Sequence, residues 1–389
     1  PPPARPAAAA GDPARAAAPG GGMAAQAGAP RKRDFRRGLL AHLILVPAWT
    51  LVPAVLFGGC FVAGAPHGPK GFLAAAAVAA GLCRTETAAT RGPLCLLIIC
   101  IGAVAPSHRA VAVAGALTTS VLFWLAKGTT RDFRRRPAVW SFITGSLPQY
   151  YQQAELHVSV GGLHKERSCF AFHPHGCLSA GFGVNGMFNP EFIKHAGKVN
   201  WLLDAMLRYK NPAFRALCDA MTREDHAILS ADKASFTGLM RKGENVGFIP
   251  GGFQDAVAFQ YGKERTVLKG RKGFVKYCLQ YGYRLHPVYT FGESQTFRAF
   301  TGLQALRMRI SQWNIPMVAF AGFPLFPLLP RPQARLLSYV GPALEVPLKP
   351  DPSVEDVDYW HAKYMEALTK LFNEKRAEAG WPDARLEII

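Results

Sequence analysis

Two imidazoles two residues apart, in Phe170-Ala171-Phe172-His173-Pro174-His175-Gly176, are the groups of this chain best placed to do chemistry. On an extended strand alternate side chains share a face, so His173 and His175 are expected to point the same way. Pro174 removes a backbone donor and Gly176 permits a turn that other residues resist. The pair admits three readings: metal ligands, a base with its neighbour, or a structural turn. A metal site of this kind would continue with an aspartate and another histidine. Gly176-Cys177-Leu178-Ser179-Ala180 supplies neither, so no metal is expected.

Two further stretches suit an anion. Gly247-Phe248-Ile249-Pro250-Gly251-Gly252-Phe253-Gln254-Asp255 reads as a strand running into a glycine pair and then an acid. Such a turn exposes N–H groups that can hold a phosphate or a developing oxyanion; a plain tight turn is the alternative. Lys269-Gly270-Arg271-Lys272-Gly273-Phe274-Val275-Lys276 sets Arg271, Lys272 and Lys276 near a helix start, suited to an anionic ligand or to a solvated basic face. Leu285-His286-Pro287-Val288-Tyr289-Thr290-Phe291-Gly292-Glu293 follows, ending on an acid.

The elements that must position these groups form an α/β pattern from Trp140 onward. Strand-like runs at 168–172, 245–249, 284–291 and 335–340 alternate with helical stretches at about 201–221 and 271–281, which predicts a mixed, mostly parallel sheet with flanking helices. A final helix is well marked. Ser353 and Asp356 make a capping box, Val357, Tyr364, Leu368 and Leu371 form one stripe, and Gly380-Trp381-Pro382 ends it.

The amino-terminal third is different. Residues 1–37 are an Ala/Pro/Gly-rich tract closing on a basic cluster, expected to be disordered, with Met23 a candidate start. Gly38 to Pro69 contains no Asp, Glu, Lys or Arg, and the run is long enough to cross a bilayer; 71–83, 92–107 and 110–126 are shorter apolar runs. Basic clusters at Arg31–Arg37 and Arg131–Arg136 flank this part, so an even number of passes is expected, two or four, with both ends cytosolic. The division is 1–37 disordered, 38–127 a membrane-embedded helical region, and 128–389 the catalytic domain.

A net charge of +19 and a pI near 9.8 point to an anionic partner. No zinc-finger spacing, aromatic RNA-binding pattern or basic heptad region occurs, so nucleic acid is set aside in favour of a lipid surface or a phosphorylated co-substrate. The eight cysteines contain no C-x-x-C pair and read as reduced core residues.

Taken in order, these blocks resemble the type-2 acyl-CoA:diacylglycerol acyltransferase family, which also holds monoacylglycerol acyltransferases and wax-ester synthases. The resemblance covers roughly residues 130–389. His173-Pro174-His175-Gly176 stands as the family's HPHG signature. Arg271-Lys272-Gly273-Phe274-Val275-Lys276 and Pro287-Val288-Tyr289-Thr290-Phe291-Gly292-Glu293 are similar to its RKGF(V/I)K and PVYxFGE blocks, and Tyr364 to Phe372 to its YxxALxxLF helix. Three features depart. Leu147-Pro148-Gln149-Tyr150-Tyr151 stands where a Tyr-Phe-Pro tripeptide is usual, Asp255 stands where glutamate is usual, and the acid five residues after a histidine in H-x4-D relatives is replaced by Leu178 and Ala180.

The resemblance implies transfer of a fatty acyl group from acyl-CoA, as co-substrate, to diacylglycerol, giving triacylglycerol. The place is the endoplasmic reticulum membrane or a lipid-droplet surface, with the catalytic domain cytosolic. The partners are acyl-CoA, diacylglycerol, the lipid bilayer and a second copy of the chain as homo-oligomer; no cofactor is called for. His175 is the expected base and His173 its neighbour, with Glu293 or Asp255 as the orienting carboxylate. Pro174, Gly176, Pro250, Gly251, Gly252, Arg271, Lys272, Gly273 and Lys276 are the expected substrate contacts, the cations pairing with CoA phosphates. Monoacylglycerol, a fatty alcohol or a lysolipid are alternative acceptors, a non-catalytic lipid-binding protein is a rival class, and Cys177 offers a covalent route.

Overall fold

The computed structural model describes residues 33–46, 48, 137–158, 163–312 and 318–389. A single mixed sheet carries the site. Its strands are β1 (Gln153–Val158), β2 (Ser168–His173), β3 (Val199–Leu203), β4 (His226–Ser230), β5 (Asn245–Phe248), β7 (Arg284–Phe291) and β10 (Arg335–Val340), arranged β1-β10-β7-β2-β5-β3-β4, with β11 (Leu344–Glu345) also on β7. The run β7-β2-β5-β3-β4 is parallel throughout, and β10 joins it antiparallel to β7. Two small pairs complete the strands: β6 (Glu264–Thr266) with β12 (Leu386–Ile388), and β8 (Arg298–Ala299) with β9 (Phe320–Ala321).

A central parallel strand covered by helices on both faces must be apolar on both, and β2 is buried along its whole length. Its alternation sorts the core into two layers. Phe170 and Phe172 enter one layer with Phe182, Phe192 and Trp201, whose rings meet edge to face at 5.0–5.7 Å. Cys169 and Ala171 enter the other, beneath the Val354–Ala379 helix. That helix has the expected Ser353–Asp356 capping box, buries Val357, Tyr364, Leu368 and Leu371, and ends at Gly380 in the left-handed region.

One expected helix is shortened. The stretch read as helical from 201 begins as β3, and the α-helix proper is Pro212–Met221. Val199-Asn200-Trp201-Leu202-Leu203 is a short apolar run that either element accommodates, and its place between β4 and β5 decides for strand. The second expected helix starts two residues late, at Gly273.

Of the expected membrane region, residues 38–46 and 48 are described. Residues 38–46 belong to a helix over 35–46 whose Ala41, Leu45 and Val46 are buried in the same layer as Trp140, Ile143 and Tyr150. The remaining apolar runs and most of the tract before them lie outside the described residues. Among the described residues no helix is long and apolar enough to cross a membrane.

Candidate active site

Three neighbouring parallel strands deliver the conspicuous sequence blocks to one end of the sheet. His175 follows β2, Gly251 and Gly252 follow β5 on one side, and Glu293 follows β7 on the other. The carboxyl ends of parallel strands are where open α/β sheets hold their ligands, because the turns there converge and are not covered by helices.

The two histidines do different things. His173 is fully buried, with Nδ1 at 3.0 Å from Thr266 Oγ1 and Nε2 at 2.8 Å from Tyr364 Oη. The Thr266 hydroxyl donates to Asp255 Oδ2 at 3.2 Å, so its lone pair accepts from Nδ1–H and Tyr364 donates to Nε2. Burial pushes His173 down to about 3, and both nitrogens are occupied, which removes it as a metal ligand or a base. It fastens the loop to β6 and to the long carboxy-terminal helix. Among the described residues, no three His, Cys, Asp or Glu side chains converge as metal ligands.

His175 is half-buried, and its Nδ1 lies 2.9 Å from the Gly176 carbonyl. A carbonyl only accepts, so Nδ1 carries the proton and Nε2 presents its lone pair. Burial lowers its pKa, with the Gly176 carbonyl opposing, so the ring is a neutral base near pH 7. The expected orienting carboxylate is therefore corrected: a main-chain carbonyl fixes the tautomer, and neither Asp255 nor Glu293 bonds the ring.

Asp255 holds the loop's backbone. Its Oδ2 accepts from His175 N at 2.9 Å and its Oδ1 from Val267 N at 2.8 Å. Burial raises it to about 6 against those hydrogen bonds and the Arg271 charge. Gly251 makes room for it, since a Cβ there would lie 2.6 Å from the Asp255 carboxyl carbon.

Glu293 is wholly buried and accepts from Ala180 N at 3.1 Å and Gly181 N at 2.6 Å, fixing the far end of the same loop. Burial pushes it up to about 8, the two N–H groups opposing and the Glu264 and Asp255 charges adding. Two glycines make this approach possible. Gly176, at φ +64°, would carry a Cβ 2.7 Å from the Glu293 carboxyl carbon, and Gly292, at φ +86°, would clash with the Arg335 carbonyl.

The Gly252–Ala258 helix opens on Gly251 and Gly252 without a side-chain cap. The cations are less free than the sequence suggests. Arg271 donates to Gly251 O at 3.3 Å and Gln254 Oε1 at 2.9 Å, bracing the glycine turn. Lys272 pairs with Asp358 at 2.6 Å on the surface, a contact a stronger anion can displace. Lys276 is exposed with no ionic partner among the described residues. Pro174 and Pro250 flank the two turns, and Gly273 is exposed at the start of its helix.

Cys177 is buried, and burial together with the Glu293 charge raises its thiol, the reverse of what a thiolate nucleophile needs. The described Cys169, Cys177, Cys218 and Cys278 are free and buried, as expected of reduced core residues.

Thr266 and Glu264 carry no signal in the sequence, and Tyr364 stands there as part of an apolar stripe and of the YxxALxxLF-like helix. Glu264 is buried and accepts from Tyr289 Oη at 2.7 Å and Ser294 Oγ at 2.6 Å. A tyrosine in an otherwise aliphatic stripe is the one signal that was available, since a buried hydroxyl needs a partner.

His175, held in one tautomer, and the glycine turn stand at the same end of a mostly parallel sheet, and comparison with known proteins gives the family. The family profile described as Diacylglycerol acyltransferase matches residues 124–389. The chain is 30% identical over 276 residues to acyl-CoA wax alcohol acyltransferase 1 of Mus musculus, covering 65% of this chain and 78% of that protein. It is 27% identical over 277 residues to diacylglycerol O-acyltransferase 2 of the same species (67% and 68%), and 28% identical over 272 to 2-acylglycerol O-acyltransferase 1 of Bos taurus (66% and 78%). No solved structure matches. The protein is an acyl-CoA-dependent acyltransferase. It belongs to the diacylglycerol acyltransferase family.

Proposed function

We propose that the chain acylates diacylglycerol to triacylglycerol, with His175 as general base. The observation that carries this is the Gly176 carbonyl on His175 Nδ1, which leaves Nε2 basic at the sheet end where the glycine turn follows the neighbouring strand. Nε2 takes the proton of the acceptor hydroxyl as its oxygen attacks the thioester carbonyl. The tetrahedral oxyanion is met by N–H groups of the Gly251-Gly252 turn or of the turn after Gly176, and collapse expels the CoA thiolate, which recovers the proton from the imidazolium. A thiolate leaves readily, so one base and an oxyanion site suffice. Lys276, with Arg271 and Lys272, receives the CoA phosphates. The reaction takes place at the endoplasmic reticulum membrane or a lipid-droplet surface, with the catalytic domain on the cytosolic side.

A fatty alcohol or a monoacylglycerol is the second reading of the acceptor, favoured by the similar identity to wax-alcohol and 2-acylglycerol relatives. Membranes from a host without neutral-lipid synthesis, supplied with labelled acyl-CoA and a panel of acceptors, decide between them by product mass. His175→Ala is expected to lose at least about 100-fold in rate. A folded His175→Ala protein at the wild-type rate overturns the mechanism.

A further inference from the structure

Apolar side chains crowd the outside of one projection. β8, the Gln304–Ser311 helix, β9 and the loop over 322–330 expose Phe300, Leu303, Leu306, Leu325, Phe326 and Leu328, each between 41% and 76% exposed. Pairing of β8 with β9 brings the two halves together, through Arg298 opposite Ala321 and Ala299 opposite Phe320. Leu303 sits at φ +52°, a region leucine seldom adopts, and is among the most exposed of the six.

The loop has few free N–H groups. Pro324, Pro327 and Pro330 have no N–H, while those of Gly322, Phe323, Phe326 and Leu329 bond to carbonyls of the same loop. Four of the six N–H groups of residues 322–330 are thus satisfied from within, which lowers the cost of entering an apolar medium. The charge carried by this stretch of chain is of one sign. Between Glu293 and Glu345 there is no acidic residue, and Arg298, Arg309 and Arg331 flank the apolar tip. Arg298 and Arg331 both lie over the Tyr261 ring, at 5.1 and 5.2 Å.

The projection also touches the site. Its inner residues Phe297, Ala299, Val318 and Phe320 pack with Phe259 against Cys177 and Leu178, directly after His175-Gly176.

We propose that this projection inserts its apolar tip into the surface of an anionic lipid bilayer, seating the His175 loop at the membrane. Arginines around an apolar tip match anionic headgroups around an acyl interior, and the two attractions add. The bilayer contact stands independently of the acyl-transfer reading; delivery of the acceptor to His175 rests on that reading.

The test uses the full chain with vesicles of phosphatidylcholine and phosphatidylserine brominated on their acyl chains. Leu325→Trp is expected to show bromine quenching beyond that of the wild type, and Val354→Trp, exposed on another element, none. Replacing phosphatidylserine by phosphatidylcholine is expected to reduce the Leu325→Trp signal. Equal quenching at the two positions overturns the proposal. So does a light-scattering dimer that Leu325→Ser/Leu328→Ser dissociates without any quenching at 325, which assigns the tip to a second copy. In the kinetic arm, Leu325→Ser/Leu328→Ser is expected to lose about tenfold in kcat/KM for a bilayer-borne acceptor and to keep the wild-type rate on a dispersed short-chain one. A wild type that consumes neither acceptor sinks the acyl-transfer reading, while the quenching result still decides the docking.

Discussion

Replacing Asp255 by asparagine exchanges one oxygen for an NH2 group at the point where the His175 loop is tethered. In the native site Oδ2 accepts from His175 N and Thr266 Oγ1, and Oδ1 from Val267 N. Asparagine keeps one acceptor, so one buried main-chain N–H is orphaned at a cost of about 1–3 kcal/mol. The opposite term is of similar size. Asp255 is raised from 3.8 to about 6, so its ionised form is disfavoured by about 3 kcal/mol near pH 7, a penalty asparagine escapes. The two terms nearly cancel in stability and do not cancel in geometry. Tm at pH 7 is therefore expected to move by only a few degrees, while kcat falls about 10- to 100-fold because the His175 backbone has lost its tether. The new NH2 also donates to Thr266, which then donates to His173 Nδ1 and drives the ring proton to Nε2. Nitrogen NMR of labelled histidine reads that tautomer change. An Asp255→Asn protein with wild-type kcat and an unchanged His173 tautomer refutes the network.

Glu293→Gln is expected to flatten the pH dependence of stability between pH 6.5 and 8. Glu293 is protonated in the fold and ionised when unfolded, so its contribution is complete below about 4.5 and is lost as pH rises through about 8, with a slope of about 1.4 kcal/mol per unit; denaturant midpoints across that window check it. His173 and His226, lowered to about 3 and about 4, act oppositely and only below about 6.5, where the unfolded rings take protons that the folded ones refuse. Gly176→Ala is expected to cost more than about 1 kcal/mol and to abolish activity, because the left-handed turn and the Glu293 contact both exclude a Cβ; thermal unfolding beside turnover measures the two losses. Removing residues 386–389 is expected to lower Tm and kcat together. β12 pairs with the strand bearing Glu264 and Thr266, and Ile389 bonds Thr266, Leu268 and Lys269; an active enzyme lacking these residues would show that β6 holds itself.

The local elements were legible because their signals are local. Strands 284–291 and 335–340 stand at the expected bounds, since apolar runs bracketed by turn residues leave little choice, and the Ser353 box and Gly380 punctuate the last helix at both ends. The stretch from 201 failed for the complementary reason: a five-residue apolar run carries no period of its own, and only its neighbours β4 and β5 made it a strand.

The sequence by itself determined which residues could do chemistry here: two histidines around a Pro-Gly turn, a glycine pair, a basic block and two acids. Only the tertiary structure decided what each does. The order β7-β2-β5 brings together turns that are about 80 and 110 residues apart in the chain, and that order is a property of strand pairing rather than of any one stretch. It placed His173 between Thr266 and Tyr364, turned both acids onto the loop's backbone, and left the Gly176 carbonyl to hold His175. A hydrogen bond to a neighbour's own carbonyl has no sequence signature, because every residue has that carbonyl and only the fold aims it.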